Sequence, residues 1–190
     1  QGRFPSYIYR GYKTDIYEGG HRIPLIVSWK GKFSNETNNS LVSLTDFYAT
    51  FAQMVNHKLK DEEAVDSYSI WPILSKQGAS NRKDLVYESG KGYLSLRTPQ
   101  LKLVFNGGSG GWGYPNKPAD LAQLPPMQLF NLKEDPSEKE NIIHDKCYEQ
   151  EVKEMTQLIR KYVKEGRSTP GAEVANDTEN DWKQINIFMQ

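Results

Sequence analysis

The stretch Lys13–Pro24 reads KTDIYEGGHRIP. A cation, a carboxylate, paired glycines, a second cation and a proline follow one another closely. Gly19 and Gly20 let the backbone reach φ > 0 and let another group approach closely. Pro24 cannot extend a helix and suits the first residue of a strand. The apolar run Leu25-Ile26-Val27-Ser28-Trp29 behind it predicts that strand, and predicts it buried. A polar loop fed into a rigid strand is a common way to hold a functional side chain.

Composition narrows the classes. The chain has 190 residues, 37% of them hydrophobic and 12% aromatic, with a formal net charge of +0. That allows a packed core and gives no electrostatic footprint for nucleic acid. No apolar run approaches the roughly 20 residues that cross a bilayer, and no secretory h-region is present. The chain begins with Gln1, so the natural start is expected to be missing, processed or cut away. The single cysteine, Cys147, forms no intrachain disulfide, and its acidic surroundings disfavour a thiolate.

Periodicity supplies the elements. Ser43 and Asp46 have capping-box spacing, and Leu44, Phe47, Tyr48, Phe51 and Val55 follow at the helical repeat. This predicts a helix that buries its aromatic stripe and ends near His57. Four strand-like runs come later: Leu85–Glu88, Tyr93–Arg97, Leu101–Phe105 and Met127–Phe130. The short Thr98-Pro99-Gln100 link predicts that the second and third form a hairpin. Tyr148, Val152, Met155, Leu158, Ile159 and Tyr162 predict a second helix, to about Val163, with Gly166 as its C-cap. His144-Asp145 reads as its start. Between the third and fourth strands lies NGGSGGWGYP, residues 106–115. It is either a flexible surface loop or a substrate-facing loop on which Trp112 and Tyr114 offer flat faces to a sugar or aryl group.

The pattern Gly11-Tyr12-Lys13-x-x-x-Tyr17-Glu18-Gly19-Gly20-x-Arg22-x-Pro24 resembles the second signature of the sulfatase family, bacterial arylsulfatase-like enzymes above all. Further runs resemble the same family: Asp66-x-x-x-Ile70-x-Pro72-x-Leu74, Arg97-x-x-x-x-Lys102-Leu103, and Leu129-Phe130-Asn131-Leu132…Asp135-Pro136-x-Glu138-x-x-Asn141. Phe130 and Asn131 stand where Tyr and Asp are commoner. The resemblance implies that Lys13 contacts the sulfate group, where a fixed cation meets charge developing on oxygen. Glu18, Gly19, Gly20, Arg22 and Pro24 then serve as structural motif residues, with Glu18 and Arg22 bracing the loop as a charge pair. His21 lies inside the motif and is either a structural ring or a pocket group.

As to fold, the resemblance implies α/β followed by α+β. Residues 1–78 would be the end of an alkaline phosphatase-like α/β domain, contributing an outer strand and a packing helix. Residues 79–165 would be a small antiparallel-sheet-and-helix subdomain, and 166–190 a tail. The parent reaction would be hydrolysis of a sulfate ester on a sulfated small molecule or glycan, with a formylglycine nucleophile and one Ca²⁺. Neither group has its motif here. Cys147 is followed by Tyr-Glu-Gln rather than x-Pro-x-Arg, and the Asp-Asp and Asp-Asn-Gly ligand motifs are absent. The expectation is therefore a chain that binds no metal or cofactor by itself, is inactive alone, and partners a missing N-terminal catalytic part. The alternatives are a non-catalytic binding or packing module, and a phosphonate or phosphate ester hydrolase of the same superfamily. The resemblance implies export, periplasmic or secreted, for the parent protein.

Overall fold

The computed structural model describes residues 6–175 and Phe188. All four predicted strands form: β1 (Leu85–Glu88), β2 (Leu94–Arg97), β3 (Leu101–Val104) and β4 (Gln128–Asn131), side by side in the order β1-β2-β3-β4. β2 and β3 are the expected antiparallel hairpin, with Arg97 opposite Lys102. Thr98 closes it, its backbone N–H donating to the Leu101 carbonyl (2.8 Å). β3 and β4 are antiparallel, with Leu101 opposite Asn131. β3 is buried along its whole length, Lys102 included.

Contacts gather the chain into two units, and the grouping does not follow chain order. One unit joins the chain up to Ile23 with Val86–Arg160. The other joins Pro24–Leu85 with the chain from Lys161. In the first, Ile16 and Tyr17 pack with Val104, Phe130 and Leu132. Ile16 and Tyr17 of the motif therefore belong to the core of the small sheet. After the one-turn helix α4 (Pro118–Leu121), helix α5 (Glu149–Glu165) follows a 3-10 turn at Lys146–Tyr148, whose start Asp145 caps by accepting from the Cys147 N–H (2.9 Å). Gly166 follows α5 at φ +65°, the left-handed C-cap position. The apolar end Ile185–Phe188 lies outside the described residues except for Phe188, whose ring meets Phe105 edge-on at 5.3 Å.

The second unit contains α2 (Asp46–Met54) and the short α3 (Trp71–Leu74). Two expectations are corrected here. Leu25–Trp29 forms no strand, and Leu25, Ile26, Val27 and Trp29 are exposed, Ile26 at 89%. A strand needs a hydrogen-bonding neighbour, and none of the four described strands pairs with this segment. The aromatic stripe of α2 also faces outward: Leu44, Tyr48, Phe51 and Val55 are exposed. The buried face is the small, polar one, formed by Asp46, Ala49, Thr50 and Ala52.

The reason is local. Small residues let the segment before α3 approach closely enough for hydrogen bonds: Thr50 Oγ1 accepts from the Ile70 N–H (2.9 Å), and Ser67 Oγ from the Ala49 N–H (2.9 Å). Asp46 is more than a cap. Its carboxylate takes the Ser43 N–H (2.9 Å), the Tyr68 N–H (3.0 Å) and a two-pronged pair with the buried Arg82, whose Nε stands at 3.0 Å. Asp66 accepts from both the N–H and the hydroxyl of Ser168 (2.8 Å each). The buried Arg167 adds bonds to the carbonyls of Asp61, Thr169, Pro170 and Ala172.

Candidate active site

Lys13 sits on a tight turn in which the Asp15 N–H donates to the Tyr12 carbonyl (2.9 Å). Its side chain is exposed, and among the described residues its ammonium makes no ion pair or hydrogen bond. Four residues that follow are buried: Asp15, Ile16, Tyr17 and Glu18. Glu18 begins the single-turn helix α1 (Glu18–His21). The paired glycines are required by contact. A Cβ on Gly19 would lie 2.4 Å from the Gly11 carbonyl oxygen, and one on Gly20 would lie 2.2 Å from that of Asp15. The motif thus folds back on its own beginning, with the Gly19 N–H donating to the Arg10 carbonyl (2.7 Å).

Glu18 was expected to pair with Arg22. That contact exists but is long, at 3.7 Å. Closer partners come from far along the chain. Glu18 Oε1 meets the buried Lys102 ammonium at 3.2 Å and Arg97 at 3.3 Å. Lys102 also meets Glu138 at 2.9 Å, and Glu138 in turn accepts from the Glu18 N–H at 2.6 Å. Arg10 donates to the Glu138 carbonyl (2.9 Å). Burial pushes the Glu138 carboxyl up, and Lys102 opposes that shift. Three runs far apart in sequence, Tyr-Glu-Gly-Gly, Arg-x-x-x-x-Lys and Asp-Pro-x-Glu, therefore converge on one buried ion cluster.

His21 lies flat against Tyr87, ring centroids 4.7 Å apart and planes within 9°. Its buried Nε2 has no hydrogen-bond partner among the described residues. Burial, helped by the nearby Lys102, lowers its pKa from 6.5 to about 4. A lowered folded pKa means that the folded state holds the neutral ring. Its contribution to stability is present above about pH 6.5 and is lost as pH falls towards about 4. His21→Phe keeps a stacking ring and removes the titration. The variant should therefore lose less stability than the wild type over that window, as read by thermal melts at successive pH values. Parallel acid limbs would count against this.

The glycine-rich loop is not flexible filler. Gly108, Ser109, Gly110, Gly111, Gly113 and Pro115 are buried, whereas Trp112 and Tyr114 are 64% and 77% exposed. Ser109 organises its interior, its hydroxyl donating to the Gly113 carbonyl (2.6 Å) and accepting from the Gly111 N–H (3.2 Å). Gln128 on β4 donates to the carbonyls of Asn106 (2.8 Å) and Gly108 (3.0 Å). The loop is bonded to the Lys13 turn at several points: the Ile16 N–H to the Ser109 carbonyl (2.8 Å), the Trp112 N–H to Thr14 Oγ1 (3.2 Å) and the Gly113 N–H to Asp15 Oδ1 (2.8 Å). An exposed cation and two exposed aromatic rings thus rise from one hydrogen-bonded platform.

Among the described residues no three His, Cys, Asp or Glu side chains converge to hold a metal ion. Asp15, Asp46, Glu18 and Glu138 are already committed to backbone N–H groups or cations. The residues present do not make a Ca²⁺ ligand set. Cys147 is exposed, and the adjacent Asp145 carboxylate pushes its thiol pKa up. No helix among the described residues is long and apolar enough to cross a membrane.

Comparison with known proteins places this geometry. A family model described as Sulfatase matches residues 4–57. N-acetylgalactosamine-6-O-sulfatase of Bacteroides thetaiotaomicron is 30% identical over 158 residues, which is 83% of this chain and 30% of that protein. The chain is related to the sulfatases. Human arylsulfatase A is 28% identical over 142 residues, 69% of this chain and 28% of its own length. The solved structure of BT33336S-sulf, from work on the metabolism of multiple glycosaminoglycans by Bacteroides thetaiotaomicron, superimposes with a TM-score of 0.70 at 29% identity. That match covers 84% of this chain and 33% of that one. These sulfatases have the alkaline phosphatase-like fold, and the four-stranded antiparallel sheet with its helix fits that relationship. The chain spans less than a third of the length of either curated relative.

Proposed function

We propose that this chain is the C-terminal part of a sulfatase that hydrolyses a sulfate ester on a glycan, with Lys13 as the cation that meets the sulfate. One observation carries the reading: Lys13 is exposed, makes no ion pair among the described residues, and sits on a turn hydrogen-bonded to the loop that carries the exposed Trp112 and Tyr114. A cation held without an internal partner is free to meet an external anion, and pre-positioned charge is what a developing oxyanion needs. Trp112 and Tyr114 supply flat apolar faces of the kind that sugar rings use. The relatives named for N-acetylgalactosamine-6-sulfate and for glycosaminoglycan metabolism support a glycan rather than an aryl sulfate.

Residues 1–78 would then complete a larger α/β domain and 79–165 form its C-terminal subdomain, with 166–190 as the tail. Two uncovered surfaces support that division. The Leu25–Trp29 segment pairs with none of the described strands and has exposed apolar side chains, and α2 presents Leu44, Tyr48, Phe51 and Val55. Apolar surface of this kind marks a contact with further protein. The metal and the nucleophile would come from that same further protein: no metal-holding cluster forms among the described residues, and Cys147 lacks the x-Pro-x-Arg context.

The test compares two proteins. The 190-residue chain alone should release no inorganic sulfate from a sulfated N-acetylhexosamine. The protein expressed from its gene, with whatever precedes Gln1, should release it. Turnover by the chain alone would overturn the assignment of the reacting groups to other residues. Binding without turnover by the longer protein would make this a non-catalytic module.

A further inference from the structure

Thr14 has φ +81°, a left-handed backbone that a β-branched residue rarely adopts. It follows Lys13 directly. Strain of this sort persists only where the surroundings hold it, and here they do. The Thr14 carbonyl accepts from the Gly90 N–H (2.8 Å) and its hydroxyl from the Trp112 N–H (3.2 Å). Next to it, the carboxylate of the buried Asp15 bridges the two parts of the platform. One oxygen accepts from the Gly113 N–H (2.8 Å), the other from the Tyr12 N–H (3.2 Å). The fit is tight: a Cβ on Gly113 would lie 2.2 Å from Asp15 Oδ2, and one on Gly111 would lie 2.5 Å from Oδ1. Glycine at 111 and 113 therefore lets the loop close onto a carboxylate, and the alternation leaves Trp112 between them facing outward.

We infer that Asp15 is a positioning residue that locks the 106–115 loop to the Lys13 turn, and that Trp112, held in this way, is a specificity-determining wall for the sugar ring of the substrate. This rests on the proposed sulfatase reading. The chemistry is simple. A carboxylate accepts two N–H groups at once, whereas a carboxamide of the same shape turns an NH₂ against one of them. Asp15→Asn should therefore free one side of the joint and loosen Trp112 without emptying the space.

The experiment uses the protein expressed from its gene, acting on a sulfated disaccharide, with Asp15→Asn, Trp112→Ala and the double variant. Trp112→Ala should raise KM about tenfold, the size of a lost aromatic stacking contact, and raise KM more than it lowers kcat. Asp15→Asn should raise KM similarly. In the double variant the two effects should not multiply, because Asp15 acts through Trp112. Backbone hydrogen exchange in Asp15→Asn should rise at Trp112 and Gly113 and stay low at Leu103 and Leu129. Multiplying KM effects, or unchanged exchange at residues 112–113, would overturn the inference while the sulfatase reading stood. If the wild type binds the disaccharide without turnover, Kd replaces KM and the same cycle decides. A wild type that neither binds nor turns over the disaccharide would overturn both.

Discussion

Replacing Lys13 by alanine in the gene-encoded protein should lower kcat/KM for a sulfated glycan by about 10²–10³-fold, the usual effect of removing one pre-positioned group that meets developing charge. Lys13 is exposed and makes no internal ion pair, so its removal leaves the fold intact. The melting temperature should stay within about 2 °C, since exposed substitutions away from special features cost under roughly 0.5 kcal/mol. That separation makes the test sharp, because lost activity with unchanged stability places Lys13 at the chemistry. Lys13→Arg keeps the charge but changes the shape of the donor, and it should recover only part of the rate. A Lys13→Ala protein with kcat/KM within threefold of the wild type would remove Lys13 from the site.

Much of the sheet unit was legible in the sequence because its signals are local. Four short apolar runs separated by turn residues became four strands, and Thr98–Gln100 could only be a hairpin turn. Helix α5 was readable from one apolar face and a terminal glycine. The order within the glycine loop was not legible. Five glycines ordinarily signal flexibility, and here they mark backbone pressed against Asp15, Thr14 and Pro115. No count along the chain reveals that Gly113 meets a residue 98 positions earlier.

The two misread segments share one cause. Leu25–Trp29 and the stripe of α2 carry the pattern of buried elements, yet the described residues leave most of their apolar side chains exposed. Pattern records what a segment is built to contact, and burial records what is present to contact it. The α2 stripe also drew attention from its opposite face, where Ala49 and Thr50 admit a close neighbour and the Asp46 carboxylate collects three polar partners, Ser43, Tyr68 and Arg82. A small, polar helix face gives no hydrophobic signal. At the candidate site, the motif singled out Lys13, which is exposed on the turn bonded to the glycine loop. Glu18 was readable only in part, because its main partners lie on β2 and β3.

Those partners underlie the largest expected effect on stability. Lys102→Met should destabilise the chain by about 3–5 kcal/mol, the cost of leaving buried charge without its counter-ion. In a chain of this size that lowers the melting temperature by roughly 10 °C. Lys102 is fully buried and lies against two carboxylates, Glu18 at 3.2 Å and Glu138 at 2.9 Å. Arg97 remains for Glu18, but no other ion pair reaches Glu138 among the described residues. Methionine fills the volume of the lysine stem, so any loss reports charge rather than a cavity. The double variant Lys102→Met/Glu138→Gln removes the orphaned charge and should regain at least half of the loss. The pH dependence gives a second reading. The Glu138 pKa is already raised by burial, and without Lys102 it rises further. A group whose folded pKa is raised contributes stability at low pH that is lost as pH rises through that pKa. The deficit of Lys102→Met should therefore be greatest near neutrality and shrink on acidification. A deficit under 1 kcal/mol, or one independent of pH and unrelieved by Glu138→Gln, would show that packing rather than paired charge holds the motif to the sheet.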